Sequence, residues 1–250
     1  MMALWKAEYQ KTRGRHLMLF VFAMSAAGLI WALGGKLSED AIAKGWYMLL
    51  YQMPLINELI LPMTAMLIAS RLGDLEHKNG MMKQLCCVAE RGKLYDVKLL
   101  YGLTLVLAGV LIQWFGIIAD GLFRHHFEGP FLLKEYLLLL LFTMAPTSAV
   151  YALLHAVAMC CVRPAVPYIV GIIGEFVGLL SMFLPYTWLI KGTPWGYYGA
   201  LMLLWSEYDR TTRISTYFYR EIDWAGFAEI VIITMVIYIA GRIVFCRIES

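Results

Sequence analysis

Residues 71–85 read RLGDLEHKNGMMKQL, a charged stretch set between two runs that are nearly free of charge. The run before it, residues 46–70, holds one acid, Glu58, and no Lys or Arg. The run after it, residues 99–119, holds no Asp, Glu, Lys or Arg at all. A helix of about 20 apolar residues crosses the roughly 30 Å of bilayer hydrocarbon. Each run therefore reads as a membrane span, and the polar stretch as the connection between them.

Four further runs are long and apolar enough to span: residues 17–33, 136–162, 165–190 and 227–245. The composition agrees. The chain is 61% hydrophobic and 16% charged, against about 45–50% and about 25% in soluble domains. The first span follows a basic start and has no small-residue cleavage site after it, since Gly34-Gly35-Lys36 is a poor match. It reads as a retained helix rather than a signal peptide.

Six spans put both termini on one side. Thirteen of the 21 Lys and Arg fall in 1–16, 71–98, 163–164 and 242–250, and eight in 34–45, 120–135 and 191–226. By the positive-inside rule the first set is cytoplasmic, so both ends lie inside a plasma membrane. The net charge of +3 reports this orientation and does not imply nucleic acid as a partner. Cys86, Cys87, Cys160, Cys161 and Cys246 all fall on or near that reducing side, which argues against structural disulfides. Nothing supplies a CxxC spacing or a fourth ligand beside His77, so no metal is expected.

The second span carries Pro54, Glu58 and Pro62 at four-residue steps, on one helical face with Tyr51 and Ala65. Each proline frees a backbone carbonyl, and an acid in lipid is costly, so this face is expected to point inward. Glu58 and Glu175 are functional candidates, the alternative being carboxyls that tie helices together by hydrogen bonds. On the tying reading, Glu58→Gln is tolerated and Glu58→Leu leaves partners unpaired. His155, deep in the fourth span, reads first as a hydrogen-bonded core residue. Gly171, Gly174 and Gly178 have the small-residue spacing that lets helices touch.

The outer loop 191–226 contains nine aromatics, and its apolar part WGYYGALMLLW is too short to span. It is expected to dip into or lie on the outer leaflet as re-entrant or interfacial helices. Trp205, Glu207 and Asp209 could form a rim for an amphipathic substrate; the plainer account is an aromatic belt. The N-terminal residues 3–16, ALWKAEYQKTRGRH, read as an interfacial helix with an apolar side in lipid and a basic side toward head groups.

No GxxxxGK[ST] occurs, so this chain cannot cradle ATP phosphates itself, and no HExxH, GxSxG or CxxC occurs either. An intramembrane hydrolase would have to use Glu58, His155 and Glu175, the inner candidates. In the opening stretch, Asn79-Gly80 is a break signal. After it, Met82, Leu85 and Ala89 fall at helical steps, with Lys83 and Gln84 on another side. Such a short amphipathic helix suits docking into a groove, and resting on the bilayer equally well.

The run Glu76-His77-Lys78-Asn79-Gly80, then Lys83 and Leu85, then Arg91-Gly92-Lys93 leading to Lys98, resembles the permeases of ABC exporters of the second type. Within that group it resembles the bacterial lantibiotic or bacteriocin immunity permeases. Glu8 to Arg15 likewise looks like that family's entry helix. The resemblance implies an all-α polytopic protein in a single domain, 1–250, with six transmembrane helices. It implies an N-terminal interfacial helix (1–16), a cytoplasmic coupling loop (71–98) and an outer aromatic loop (191–226). It implies that Glu76, His77, Lys78, Met82, Lys83 and Leu85 contact separate ATPase subunits, which carry the ATP and Mg, with no cofactor on this chain. A second permease, a sister chain or a second copy, would complete the pathway at spans two and five. The cargo would be an antimicrobial peptide, or else a lipid-linked or drug-like molecule. From other classes, an intramembrane enzyme or a membrane sensor stays open.

Overall fold

The computed structural model describes residues 2–35, 37–77, 89–184, 187–209 and 215–247. In order, the elements are α1 (Met2–Arg13), α2 (Leu17–Leu33), α3 (Glu39–Ala43), α4 (Gly45–His77), α5 (Arg91–Phe123), α6 (Leu133–Cys160) and α7 (Ala165–Phe183). Then come α8 (Thr187–Lys191), α9 (Tyr197–Ala200), β1 (Leu204–Tyr208), β2 (Ser215–Tyr219) and α10 (Trp224–Arg247). Five of these helices, α4, α5, α6, α7 and α10, are long and apolar enough to cross a membrane; the number is six if the α1–α2 pair, bent by 71°, counts as one span. The bend falls at Gly14-Arg15-His16, where His16 adopts a left-handed backbone at φ 52°.

The helix α4 is the hub. Its apolar window is 78% buried against 17% for α10, so the second span is enclosed by its own neighbours while the last lies at the edge. Pro54, Glu58, Pro62 and Ala65 are all buried and Tyr51 is half-buried, the inward face expected from their spacing. The prolines do not break the helix. The exposed apolar side chains of α7 and α10, among them Ile173, Phe176, Ile232 and Val236, are suited to lipid.

The fifth span is shorter than its hydrophobicity suggests. Instead of running to residue 190, α7 stops at Phe183, and Leu184 turns extended at φ −102°, ψ 135°. The next residue in the sequence is Pro185, whose ring disfavours helix at the residue before it. The outer loop also departs from the expected all-helical form. After the short helices α8 and α9 it makes an antiparallel hairpin with Trp205 opposite Phe218 and Glu207 opposite Thr216. Both strands are rich in aromatic and hydroxylic residues that suit a half-buried pleat. One side of the hairpin sets Tyr219 against Tyr47 and Tyr217 against Tyr51, at ring separations of 6.2 Å each. This seats it on the first turns of α4.

Both chain ends meet the first turns of α5, at the opposite end of the bundle. The guanidinium of Arg242 and the hydroxyl of Tyr238 on α10 both donate to Asp96, at 2.9 Å each.

Candidate functional site

At the end of the bundle that carries the termini, α1 docks on α5 by a polar side. Lys98 Nζ donates to Glu8 Oε2 at 2.7 Å, with Lys98 0% and Glu8 2% exposed. Lys11 reaches the other Glu8 oxygen at 3.1 Å. One turn on, Thr12 Oγ1 and Tyr101 OH are 2.6 Å apart, and the Trp5 ring meets Tyr101 edge-on at 5.5 Å. Trp5, Glu8 and Thr12 follow helical spacing, but the stripe they make is polar at its centre. The side of α1 that meets α5 is thus built around a buried ion pair. Sequence reading missed it because its partners are separated by 90 residues, and each alone reads as part of a topology signal.

Beside this pair, the His155 ring sits 4.7 Å from that of Tyr95 and 5.8 Å from that of Tyr151, whose hydroxyl donates to the Lys98 carbonyl. His155 thus belongs to the α5–α6 packing near Lys98. Among the described residues neither of its ring nitrogens has a hydrogen-bond partner, so it is a core residue held by ring packing and not the hydrogen-bonded one expected. Among the described residues, no three His, Cys, Asp or Glu side chains gather closely enough to hold a metal.

Midway along α4, Glu58 faces α7. The three glycines of α7 line up against one surface, and a Cβ on each would press on a neighbour. Gly171 would meet Met66 Sδ at 2.6 Å, Gly174 the Trp195 ring at 2.5 Å, and Gly178 both Glu58 Oε1 and Trp195 Cβ at 2.6 Å. The missing side chains let α7 approach α4 and Trp195 this closely. Glu175 lies on the same helix and is 9% exposed. Glu58 is 0% exposed, and among the described residues neither of its carboxyl oxygens has a hydrogen-bond partner. The expected tie between helices is therefore absent on Glu58. Nearby, Asn57 Oδ1 and both polar atoms of Gln113 are likewise buried without partners, around a small cavity shared with Thr143 and Trp114.

At the hairpin end, Trp205 and Glu207 project from the exposed side of β1, with Asp209 just beyond the strand. Phe218 continues that side on β2. Beneath the hairpin lies a cavity of about 750 Å³ with walls of Leu55, Met182, Phe183, Ile190, Met202 and Trp205. Trp205 is the point where cavity and exposed aromatic side meet; Glu207 and Asp209 do not line the cavity.

The backbone of Glu76 and His77 forms the last turn of α4, while Lys78, Met82, Lys83 and Leu85 lie outside the described residues. A family model described as ABC-2 family transporter protein matches residues 4–181. The chain belongs to this family. The match runs from α1 through α7 and takes in Glu8, Lys98, Glu58 and Glu175. No curated protein and no solved structure shows significant similarity to the chain. The family makes the protein the membrane permease subunit of an ABC transporter, a multi-pass transport component rather than an enzyme, and it implies an ABC ATPase as partner.

Within this ABC-2 permease, one surface contact outside the spans carries a pH dependence. The Lys191 ammonium, 2.6 Å from Asp223 Oδ2, and then the Gly226 N–H hold the Asp223 carboxyl below the usual carboxylate range. A depressed pKa contributes stability above the ordinary value of about 3.9, and that contribution is lost as the pH falls through the lower folded value. Wild type is therefore expected to show a tryptophan-emission change below about pH 4, as the contact near Trp188 and Trp224 loosens. Asp223→Asn should lack that step.

Proposed function

We propose that this ABC-2 permease is the exporting subunit of an antimicrobial-peptide immunity system. It expels an amphipathic, cationic peptide of the lantibiotic or bacteriocin kind from the membrane. A separate ATPase, which holds the ATP and Mg, drives it, and a second permease, sister or copy, completes the pathway. The chain itself needs no cofactor. Both termini face the cytoplasm. Glu76, His77, Lys78, Met82, Lys83 and Leu85 form the handle that the ATPase grips, and only contacts that differ between its open and ATP-closed states can move the spans.

The observation that carries the cargo reading is the exposed hairpin side. It joins Trp205 and Phe218, 55% and 48% exposed, to the acid of Glu207. Aromatic faces with acids beside them suit a cationic, amphipathic chain through stacking, cation–π contact and charge pairing. An aromatic belt that merely anchors the protein would use the rings and ignore the acids.

The test replaces Trp205, Glu207 and Asp209 together in cells carrying the whole operon. Protection against a cationic peptide is expected to fall severalfold, with the amount of membrane-inserted permease and of co-purified ATPase unchanged. Lower protein levels would assign the rings to anchoring. Full protection at normal levels would remove the hairpin from the cargo path.

A further inference from the structure

The cavity beneath the hairpin has a chemistry that the exposed side lacks. Its volume of about 750 Å³ lies in the range of about 300–1,000 Å³ found for small-molecule sites. Its walls are mostly apolar, from Leu55 on α4 through Met182, Phe183 and Ile190 to Met202 and Trp205. Of its lining residues Phe183 and Leu184 are 80% and 41% exposed, an apolar edge that faces lipid more naturally than water.

Three charged residues line this apolar space: Lys191, Arg220 and Asp223. Two of them cancel. Lys191 pairs with Asp223 at 2.6 Å, and the second Asp223 oxygen accepts the Gly226 N–H at 2.7 Å. Both oxygens of the acid are thus engaged. Arg220 is different. Its Nη1 donates to the Gly199 carbonyl at 3.3 Å, which fixes the guanidinium at the rim. No carboxylate of the described residues lies within ion-pair distance of it. A guanidinium has five N–H donors, and a single carbonyl contact leaves donors for a further oxygen-rich anion.

We propose that this cavity is a binding site for a membrane phospholipid with a singly anionic headgroup, its phosphate on Arg220 and an acyl chain along the Leu55–Met182–Met202 wall. The unmatched guanidinium selects the headgroup. An anionic lipid sets its phosphate on the lining cation that has no carboxylate within ion-pair distance, whereas a zwitterionic one brings a cation that would need an acid, and the two nearby acids, Asp223 and Glu229, already stand against Lys191 at 2.6 and 4.0 Å. A nucleotide or sugar phosphate would leave its polar body against apolar walls. The proposal does not depend on the peptide reading, because the acids of the exposed hairpin side lie outside the cavity.

The test uses the full transporter, permease with its ATPase, incubated in mixed vesicles of equal phosphatidylglycerol and phosphatidylcholine. After repurification the retained lipid is identified by native mass spectrometry. Wild type is expected to retain phosphatidylglycerol about tenfold over phosphatidylcholine, the size of effect that one charge-assisted contact supplies. Arg220→Gln should abolish the preference and Arg220→Lys should keep most of it. Ala200→Trp, which fills the cavity, should lower retention of both lipids. Arg124→Gln, on an exposed loop elsewhere, should change nothing. Equal retention of the two lipids by wild type overturns the proposal. So does loss of preference in Arg124→Gln as large as in Arg220→Gln, or full retention by Ala200→Trp. If Arg220→Gln does not accumulate, the Arg220→Lys and Ala200→Trp pair decides the matter on its own.

Discussion

Glu8→Leu is expected to destabilise this permease by about 3–5 kcal/mol, the usual cost of removing one partner from a buried ion pair. The reason lies in where the two charges sit. Lys98 is 0% exposed on α5, and its ammonium is bonded to Glu8 Oε2 at 2.7 Å. Without that carboxylate, a buried cation loses an anion 2.7 Å away that helps to offset its desolvation. The reverse variant, Lys98→Met, should cost less, because Lys11 still reaches Glu8 Oε1 at 3.1 Å from a position 24% exposed. The double variant, Glu8→Leu with Lys98→Met, should recover most of the loss, since an apolar pair of similar volume has no charge to strand. Thermal unfolding in detergent, with protease cleavage of α1 as a local readout, measures all three. Equal and additive effects in the two single variants, with no recovery in the double, would show that the pair does not anchor α1.

The opposite outcome is expected at Glu58. Its carboxyl is 0% exposed with neither oxygen partnered among the described residues, and an unsatisfied buried polar group costs about 1–3 kcal/mol. Glu58→Met, close in volume and apolar, should therefore raise stability by about that much. Natural proteins keep such a group where it serves function. The same variant is thus expected to lose most transport activity while the permease and its ATPase still co-purify. Glu58→Gln separates two roles. A group that works by changing its protonation fails as Gln, whereas one that offers hydrogen bonds in another conformation survives. Activity retained by Glu58→Met would assign the residue to neither. Because Gly178 lets Glu58 Oε1 lie directly against the α7 backbone, a sliding of α7 past α4 would alter its surroundings at once.

These two acids show how unevenly the sequence revealed the site. Glu58 was visible because it interrupts a long apolar run, and its four-residue spacing from Pro54 and Pro62 fixed which way it points. That inference needs only helical geometry and the cost of polar groups in lipid. Glu8 sits among Lys6, Lys11, Arg13 and Arg15, where an acid has no local pattern to violate. Only the approach of α1 to α5 turns it from a surface charge into half of a buried pair. The same holds for Asp96 and Arg242, which are 146 residues apart.

By itself the sequence determined five of the apolar spans, the limits of most of them, the inward face of α4 and the small-residue face of α7. Hydrophobic length and helical period are local quantities, and lipid enforces them segment by segment. Tertiary structure alone decided that α4 is the enclosed hub, that α1 is held by a buried ion pair, and that the outer loop folds into a hairpin over a cavity with Arg220 at its rim. Each of these depends on groups far apart in the chain meeting at one place. Burial, which turns an ordinary charge into a costly or a useful one, exists only after the helices have packed.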